Sequence, residues 1–153
     1  MRETAEPEPT AVRVGNATDT SILAPRSYSE PRRLLYLEDT VANIRLIESI
    51  IGRRPSIELI PALLGQLGLE LARDLHPDLI LLDLPLPDMS GKRVFTELRA
   101  DEATQAIPVV ILSADAAGTL RDELLAGGGV HAYLTKPLEA VRLLEVLDEI
   151  LDA

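Results

Sequence analysis

Leu79-Ile80-Leu81-Leu82-Asp83, followed by Leu84-Pro85-Leu86-Pro87-Asp88-Met89-Ser90-Gly91, is the stretch on which the reading of this chain turns. A short aliphatic run with no polar face, bounded by turn residues, fits a strand covered on both sides. It stops on a carboxylate, and the prolines, Asp88, Ser90 and Gly91 then make a loop. Downstream, Val94, Phe95 and Leu98 supply one face of a helix, and Val109-Val110-Ile111-Leu112 is a second aliphatic run, ending on Ser113. A weaker helix around Leu120 to Leu125 leads into Gly127-Gly128-Gly129. Ala132-Tyr133-Leu134 then forms a strand ending near Lys136-Pro137, and Leu144, Leu147 and Leu151 line a final amphipathic helix. Upstream, His76-Pro77-Asp78 breaks a helix suggested by Leu67, Leu71 and Leu75, and Ile57 to Ile60 is a short strand. Val41, Ile44, Ile47 and Ile51 recur at helical spacing before Gly52 and Pro55, and Leu34-Leu35-Tyr36-Leu37 is a strand ending in Glu38-Asp39. Five strand–helix units in alternation predict an α/β fold with a parallel sheet.

The chain has 153 residues, enough for one domain with its own core. Residues 1–31 carry Pro7, Pro9, Pro25 and Pro31 among Thr, Ser, Glu and Ala without an apolar period, and they read as a flexible arm. Residues 32–153 make the folded domain, and no stretch is left over for an output domain. A net charge of −10 disfavours nucleic acid and anionic membrane surfaces as partners. Aromatic residues are 3% of the chain and Trp is absent, so the core must be built from aliphatic side chains. The absence of Cys excludes disulfides, thiolate metal sites and a Cys nucleophile. No apolar run reaches the ~18 residues of a membrane span. The start lacks the basic-then-apolar layout of a signal peptide, so the cytoplasm is the expected location.

Four strand candidates end in polar residues: Glu38-Asp39, Asp83, Ser113 and Lys136. In an open parallel α/β sheet the ligand site lies at the carboxyl ends of the strands, so these groups should converge there. Carboxylates with one Lys and one hydroxyl suit a divalent cation and a phosphoryl group. Mg²⁺ takes hard oxygen ligands and keeps waters, Lys offers a point charge, and Ser donates one hydrogen bond. Lys136 is one of only two lysines in a chain of thirteen arginines, which suggests a need for a compact charge.

On Glu38-Asp39, Asp83 with its Leu-Pro-Leu-Pro-Asp-Met-Ser-Gly sequel, Ser113-Ala114 and Tyr133-Leu134-Thr135-Lys136-Pro137, the chain resembles the receiver domain of two-component response regulators. The resemblance spans about Arg33 to Leu151. It implies a flavodoxin-like, doubly wound five-stranded sheet in the order 2-1-3-4-5. Asp83 is then the phosphoacceptor. Asp39, Asp83 and the carbonyl of Pro85 would bind Mg²⁺ directly, and Glu38 would bind it through water. Ser113, Ala114 and Lys136 would bind the phosphoryl group, Tyr133 would be the switch aromatic, and Lys136-Pro137 a cis peptide. The implied partners are a histidine kinase or histidine phosphotransfer protein, and a downstream protein on the face of the last strand and final two helices. A homodimer is compatible with this. The chain would be a phosphoacceptor that assists its own phosphorylation and dephosphorylation rather than an enzyme.

Two features depart from the family pattern. Thr40-Val41 stands where a polar residue and Pro often follow the acidic pair, which alters how the first helix begins. Pro85 stands two positions after the acceptor, where the side chain borders the attacking water; Pro loses its N–H but keeps its carbonyl. Two other functions stay open from sequence. One is a small Mg²⁺-dependent phosphohydrolase with Asp83 as nucleophile, although Pro85 occupies the place of its usual second carboxylate. The other is a receiver-like scaffold that binds a partner without phosphorylation. Blander readings exist for single residues: Ser113 as a helix cap, Tyr133 as a packed ring with its hydroxyl at the surface, and His76 and His131 as loop residues.

Overall fold

The computed structural model describes residues 30–114, 122, 126 and 128–151. The chain divides after Glu30 into two units, Met1–Glu30 and Pro31–Ala153, and the elements given below belong to the second. The expected arm therefore falls almost wholly outside the described residues. So does the expected weak helix around Leu120 to Leu125, of which only Asp122 and the adjoining Ala126 are described, both helical.

In chain order the elements are β1 (Arg32–Leu37), α1 (Val41–Ile51), β2 (Ile57–Ala62), α2 (Gly65–Leu75), β3 (Leu79–Asp83), α3 (Gly91–Ala100), β4 (Val109–Ser113), β5 (Val130–Thr135) and α4 (Ala140–Leu151). The strands form one parallel sheet in the order β2-β1-β3-β4-β5. The alternation of side chains along each strand feeds two separate aliphatic layers. Leu34, Tyr36, Leu79, Leu81, Val110 and Leu112 face α1 and α4. Leu35, Leu37, Ile80, Leu82, Val109 and Ile111 face α2 and α3. Every residue of β3 and β4 is buried, as expected of central strands with helices on both faces. Among the described residues no helix is long and apolar enough to cross a membrane.

Three readings of helix faces and loops are corrected. The buried stripe of α2 is Gly65, Gly68, Leu69 and Ala72, whereas Leu67 is exposed and Leu71 and Leu75 are only partly covered. The leucine spacing marks the helix but not its buried face, which stands closest to the sheet at Gly68. A Cβ on Gly68 would lie 2.3 Å from Leu37 Cδ2. Val41 likewise opens α1 in an exposed position, and Ile50 joins Ile44, Ile47 and Ile51 in the core. His131 stands in β5, exposed and near Glu149, rather than in a loop.

Two side chains tie the layers together across long stretches of sequence. Arg54, just after α1, holds Asp148 of α4 through Nε and Nη2, each at 2.8 Å. Arg99 of α3 donates to the carbonyls of Gln105, Ile107 and Gly129, so one guanidinium fastens α3, the approach to β4 and the approach to β5. Gly128 and Gly129 enter β5 with φ of 77° and 88°, backbone values that favour glycine.

The close approach at Gly68 generates a stability prediction. Ala would gain up to ~1 kcal/mol of helix propensity. Overpacking against a buried Leu37 costs ~1–3 kcal/mol. Gly68→Ala is expected to destabilise the domain by about 1–2 kcal/mol on balance, read as a lower urea midpoint at unchanged slope. A midpoint at or above that of the wild type would contradict this packing account.

Candidate functional site

The strand order reverses direction between β1 and β3, and the carboxyl ends of these two strands deliver the acidic residues to a common point. Asp83 is the last residue of β3, and Glu38 and Asp39 follow β1 directly. Carboxylate oxygens of all three lie within 4.8 Å of one another. Glu38 and Asp83 are buried and Asp39 is exposed. From β5 comes Lys136, whose Nζ is 2.9 Å from Asp83 Oδ2 and 3.8 Å from Glu38 Oε1. The three carboxylates, Lys136 and Pro85 line one cleft of about 350 Å³ together with Thr40, Asn43, Leu86 and Pro87.

Each group has a local reason for its position. The β1 ladder continues one step past the strand, with the Glu38 N–H donating to the Ala62 carbonyl at 3.0 Å. Thr40 is the N-cap of α1 and makes no side-chain cap; its N–H instead donates to Glu38 Oε2 at 3.1 Å, and its hydroxyl donates to Asp39 Oδ1 at 3.3 Å. The substitution of Thr for the usual residue after the acidic pair therefore leaves α1 starting at Val41, with the cap backbone turned to Glu38. The loop after Asp83 is closed on itself by the Gly91 N–H donating to the Leu84 carbonyl and by a Pro85–Ser90 bridge. A Cβ on Gly91 would lie 2.4 Å from Leu84 Cα, so only glycine permits that closure. Asp88 then clamps the loop to the start of α2, accepting from the N–H of Gly65 at 2.7 Å and of Gln66 at 2.9 Å. These charge-assisted bonds hold its carboxyl below the usual range.

Burial and mutual proximity split the two buried carboxyls. Asp83 is pushed up to about 7, first by loss of water, then by the neighbouring Glu38 carboxyl, with Lys136 opposing. Burial acts to raise Glu38 as well. It is outweighed by the adjacent Asp83 carboxyl, by hydrogen bonds from the Thr40 N–H and the Tyr36 hydroxyl and by the charge of Lys136, and the net shift is downward. Of the two buried carboxyls, Asp83 is thus the one that ionises less readily. Asp83 Oδ1 is buried without a hydrogen-bond partner among the described residues. An oxygen left in that condition beside two further carboxylates suits a hard, hydrated divalent cation such as Mg²⁺.

Other predicted residues lie around this cleft rather than in it. Ser113 is buried at the end of β4, in register with Thr135, and its carbonyl accepts from the Lys136 N–H at 2.8 Å. Ala114 is exposed beyond it. The Lys136–Pro137 peptide is cis. Tyr133 sits two residues earlier on β5, opposite Ile111, and its half-buried ring packs on the α2/α3 layer. Its hydroxyl does not reach the surface: it is buried with no partner among the described residues. Sequence reading missed Tyr36, whose hydroxyl donates to Glu38 Oε1 at 3.1 Å from beneath the site. The available signal was a phenol two residues before a carboxylate in a strand, which puts both on one face.

Comparison with known proteins agrees with this geometry. The family model described as response regulator receiver domain matches residues 34–148. The polar-differentiation response regulator DivK of Brucella ovis is 35% identical over 116 residues, covering 76% of this chain and 93% of that one. Among solved structures, the receiver domain of a sensor histidine kinase from Pseudomonas aeruginosa, with magnesium coordinated in its active-site cleft, superposes with a TM-score of 0.71. It is 27% identical and covers 80% of this chain and 99% of its own. The signal receiver domain of a Luxo repressor protein from Vibrio parahaemolyticus gives a TM-score of 0.73 at 27% identity, over 80% of this chain and 91% of that one. A five-stranded sheet in the order 2-1-3-4-5, acidic groups and a lysine at its carboxyl edge, and a family match over most of the chain make this protein a member of the response regulator receiver domain family.

Proposed function

We propose that the chain takes a phosphoryl group onto Asp83 from the phosphohistidine of a histidine kinase or histidine phosphotransfer protein. The observation that carries this reading is the condition of Asp83: Oδ2 is held by Lys136 at 2.9 Å while Oδ1 is buried among carboxylates with no partner among the described residues. In the transfer an Asp83 oxygen bonds to phosphorus as the phosphorus–nitrogen bond to the imidazole breaks, and the electron pair returns to the imidazole nitrogen. Asp39, Asp83 and the Pro85 carbonyl would hold Mg²⁺ directly, with Glu38 acting through a bound water. That ion would neutralise the charge that gathers on the phosphoryl oxygens. Lys136 exchanges its Asp83 contact for a phosphoryl oxygen, and the Ser113 hydroxyl, with the backbone at Ala114, donates to another.

Reading the chain as an acceptor, not a phosphohydrolase, is supported by Pro85, which stands in the cleft where such an enzyme needs a second carboxylate. Output would pass through β5 and α4 to a downstream protein. Tyr133 is the proposed mobile element there, because a buried, unpaired hydroxyl costs ~1–3 kcal/mol and a change of rotamer can relieve it. A cytoplasmic location and a receiver unit starting near residue 32 belong to the same proposal.

Two outcomes test it. Incubated with acetyl phosphate and Mg²⁺, the protein should gain a single phosphoryl mass that disappears in Asp83→Asn and with a chelator in place of the metal; an Asp83→Asn variant that still gains it at the wild-type rate refutes the assignment. The second outcome concerns pH. In the unfolded chain Asp83 ionises near the ordinary value of 3.8, and in the folded protein near 7. Its contribution to stability is thus complete below the unfolded value and is lost as pH rises through the folded one. Measured in EDTA, Asp83→Asn should exceed the wild type by about 1–2 kcal/mol at pH 8, after allowance for the lost Lys136 contact, and the advantage should vanish towards pH 4. A pH-independent difference would refute this account of the buried carboxyl.

A further inference from the structure

Tyr36 is fully buried on β1, in the layer facing α1 and α4, and it is the one aromatic residue of an otherwise aliphatic strand core. Its hydroxyl crosses from that layer to the acidic cleft and donates to Glu38 Oε1 at 3.1 Å. The other oxygen, Oε2, accepts from the Thr40 N–H at 3.1 Å. Both oxygens of a side chain with three rotatable bonds are thereby fixed, one from below by a rigid phenol and one by the cap of α1. The same bond affects Lys136. With Oε1 held by Tyr36, the ammonium stands 3.8 Å from Glu38 and 2.9 Å from Asp83, so the lysine is kept for the acceptor side of the cleft.

We infer that Tyr36 is a positioning residue for the cation site, holding Glu38 as a preset acceptor for metal-bound water and keeping it from capturing Lys136. The inference rests on the proposed Mg²⁺ site and adds to it a residue that touches neither the ion nor the phosphoryl group. Groups that orient a ligand from outside typically change metal affinity by ~10–100-fold when removed. Here the Thr40 bond remains, so the effect should fall at the lower end.

Tyr36→Phe removes only the hydroxyl and keeps the ring in its aliphatic layer. Titration with MgCl2 alone, followed by calorimetry, should give a dissociation constant raised by about five- to tenfold. Phosphorylation by acetyl phosphate should show the same shift in the Mg²⁺ concentration for half-maximal rate, while the rate at saturating Mg²⁺ stays within about twofold of the wild type. Action through Glu38 is read from a double-mutant cycle: in a Glu38→Gln background, Tyr36→Phe should change Mg²⁺ affinity by less than about twofold. Equal affinity in wild type and Tyr36→Phe overturns the inference and leaves the proposed Mg²⁺ site standing. An undiminished effect of Tyr36→Phe in the Glu38→Gln background also overturns it, as general loosening of the core would produce that result. A wild type that binds no Mg²⁺ overturns the metal site itself, and this inference with it.

Discussion

Glu38 and Asp83 are two carboxyls almost wholly withdrawn from water beside one another, answered by a single ammonium group, and the rest of the site is built around that pair. Two adjacent buried negative charges cannot both persist without compensation. Lys136, hydrogen bonds from Tyr36 and the Thr40 N–H, and a raised Asp83 that ionises less readily share the task. Three carboxylates around one lysine form a group that suits a divalent cation. The electrostatic tension is thus the link between the fold and the proposed Mg²⁺-dependent phosphoryl chemistry.

A parallel sheet supplies the means of sustaining it. The aliphatic layers on both faces of β3 and β4 are extensive, and they offset a few costly polar burials at one edge. The reversal of strand order leaves room above β1 and β3, so the carboxyl ends of those strands let buried acidic groups also reach a cleft. Loop closure completes the arrangement. Asp88 directs its charge to the start of α2 and not to the cleft, although it lies only five residues beyond Asp83. Acidic residues of the same segment therefore have separate duties: Asp88 fixes the loop and Asp83 faces the site.

Small residues set how closely the layers meet. Gly68 lets α2 settle against Leu37, the residue directly before Glu38, and Gly91 lets the loop after β3 close against Leu84. Packing distances of this kind pass directly into site geometry, because each contacting residue adjoins a segment bearing one of the carboxylates. On β5, the Tyr133 hydroxyl is buried on the α2/α3 side of the sheet with no hydrogen-bond partner among the described residues.

The alternation of aliphatic runs with helical periods, and the polar residue closing each run, were legible from sequence. Strand interiors buried on both faces tolerate little but Leu, Ile and Val, and so they announce themselves. The positions of Glu38, Asp39, Asp83, Ser113 and Lys136 at strand ends followed from the same pattern. The buried face of α2 was not legible, because a period of leucines says which residues are apolar but not how near the sheet stands. At Gly68 the nearness decides in favour of hydrogen over a side chain. Nor could sequence tell that Asp83 would be raised and Glu38 lowered, or recruit Tyr36 to the site. Those depend on distances of about 3 Å between groups whose spacing in the chain carries no such information, and on the exclusion of water, which exists only once both layers have closed over the sheet.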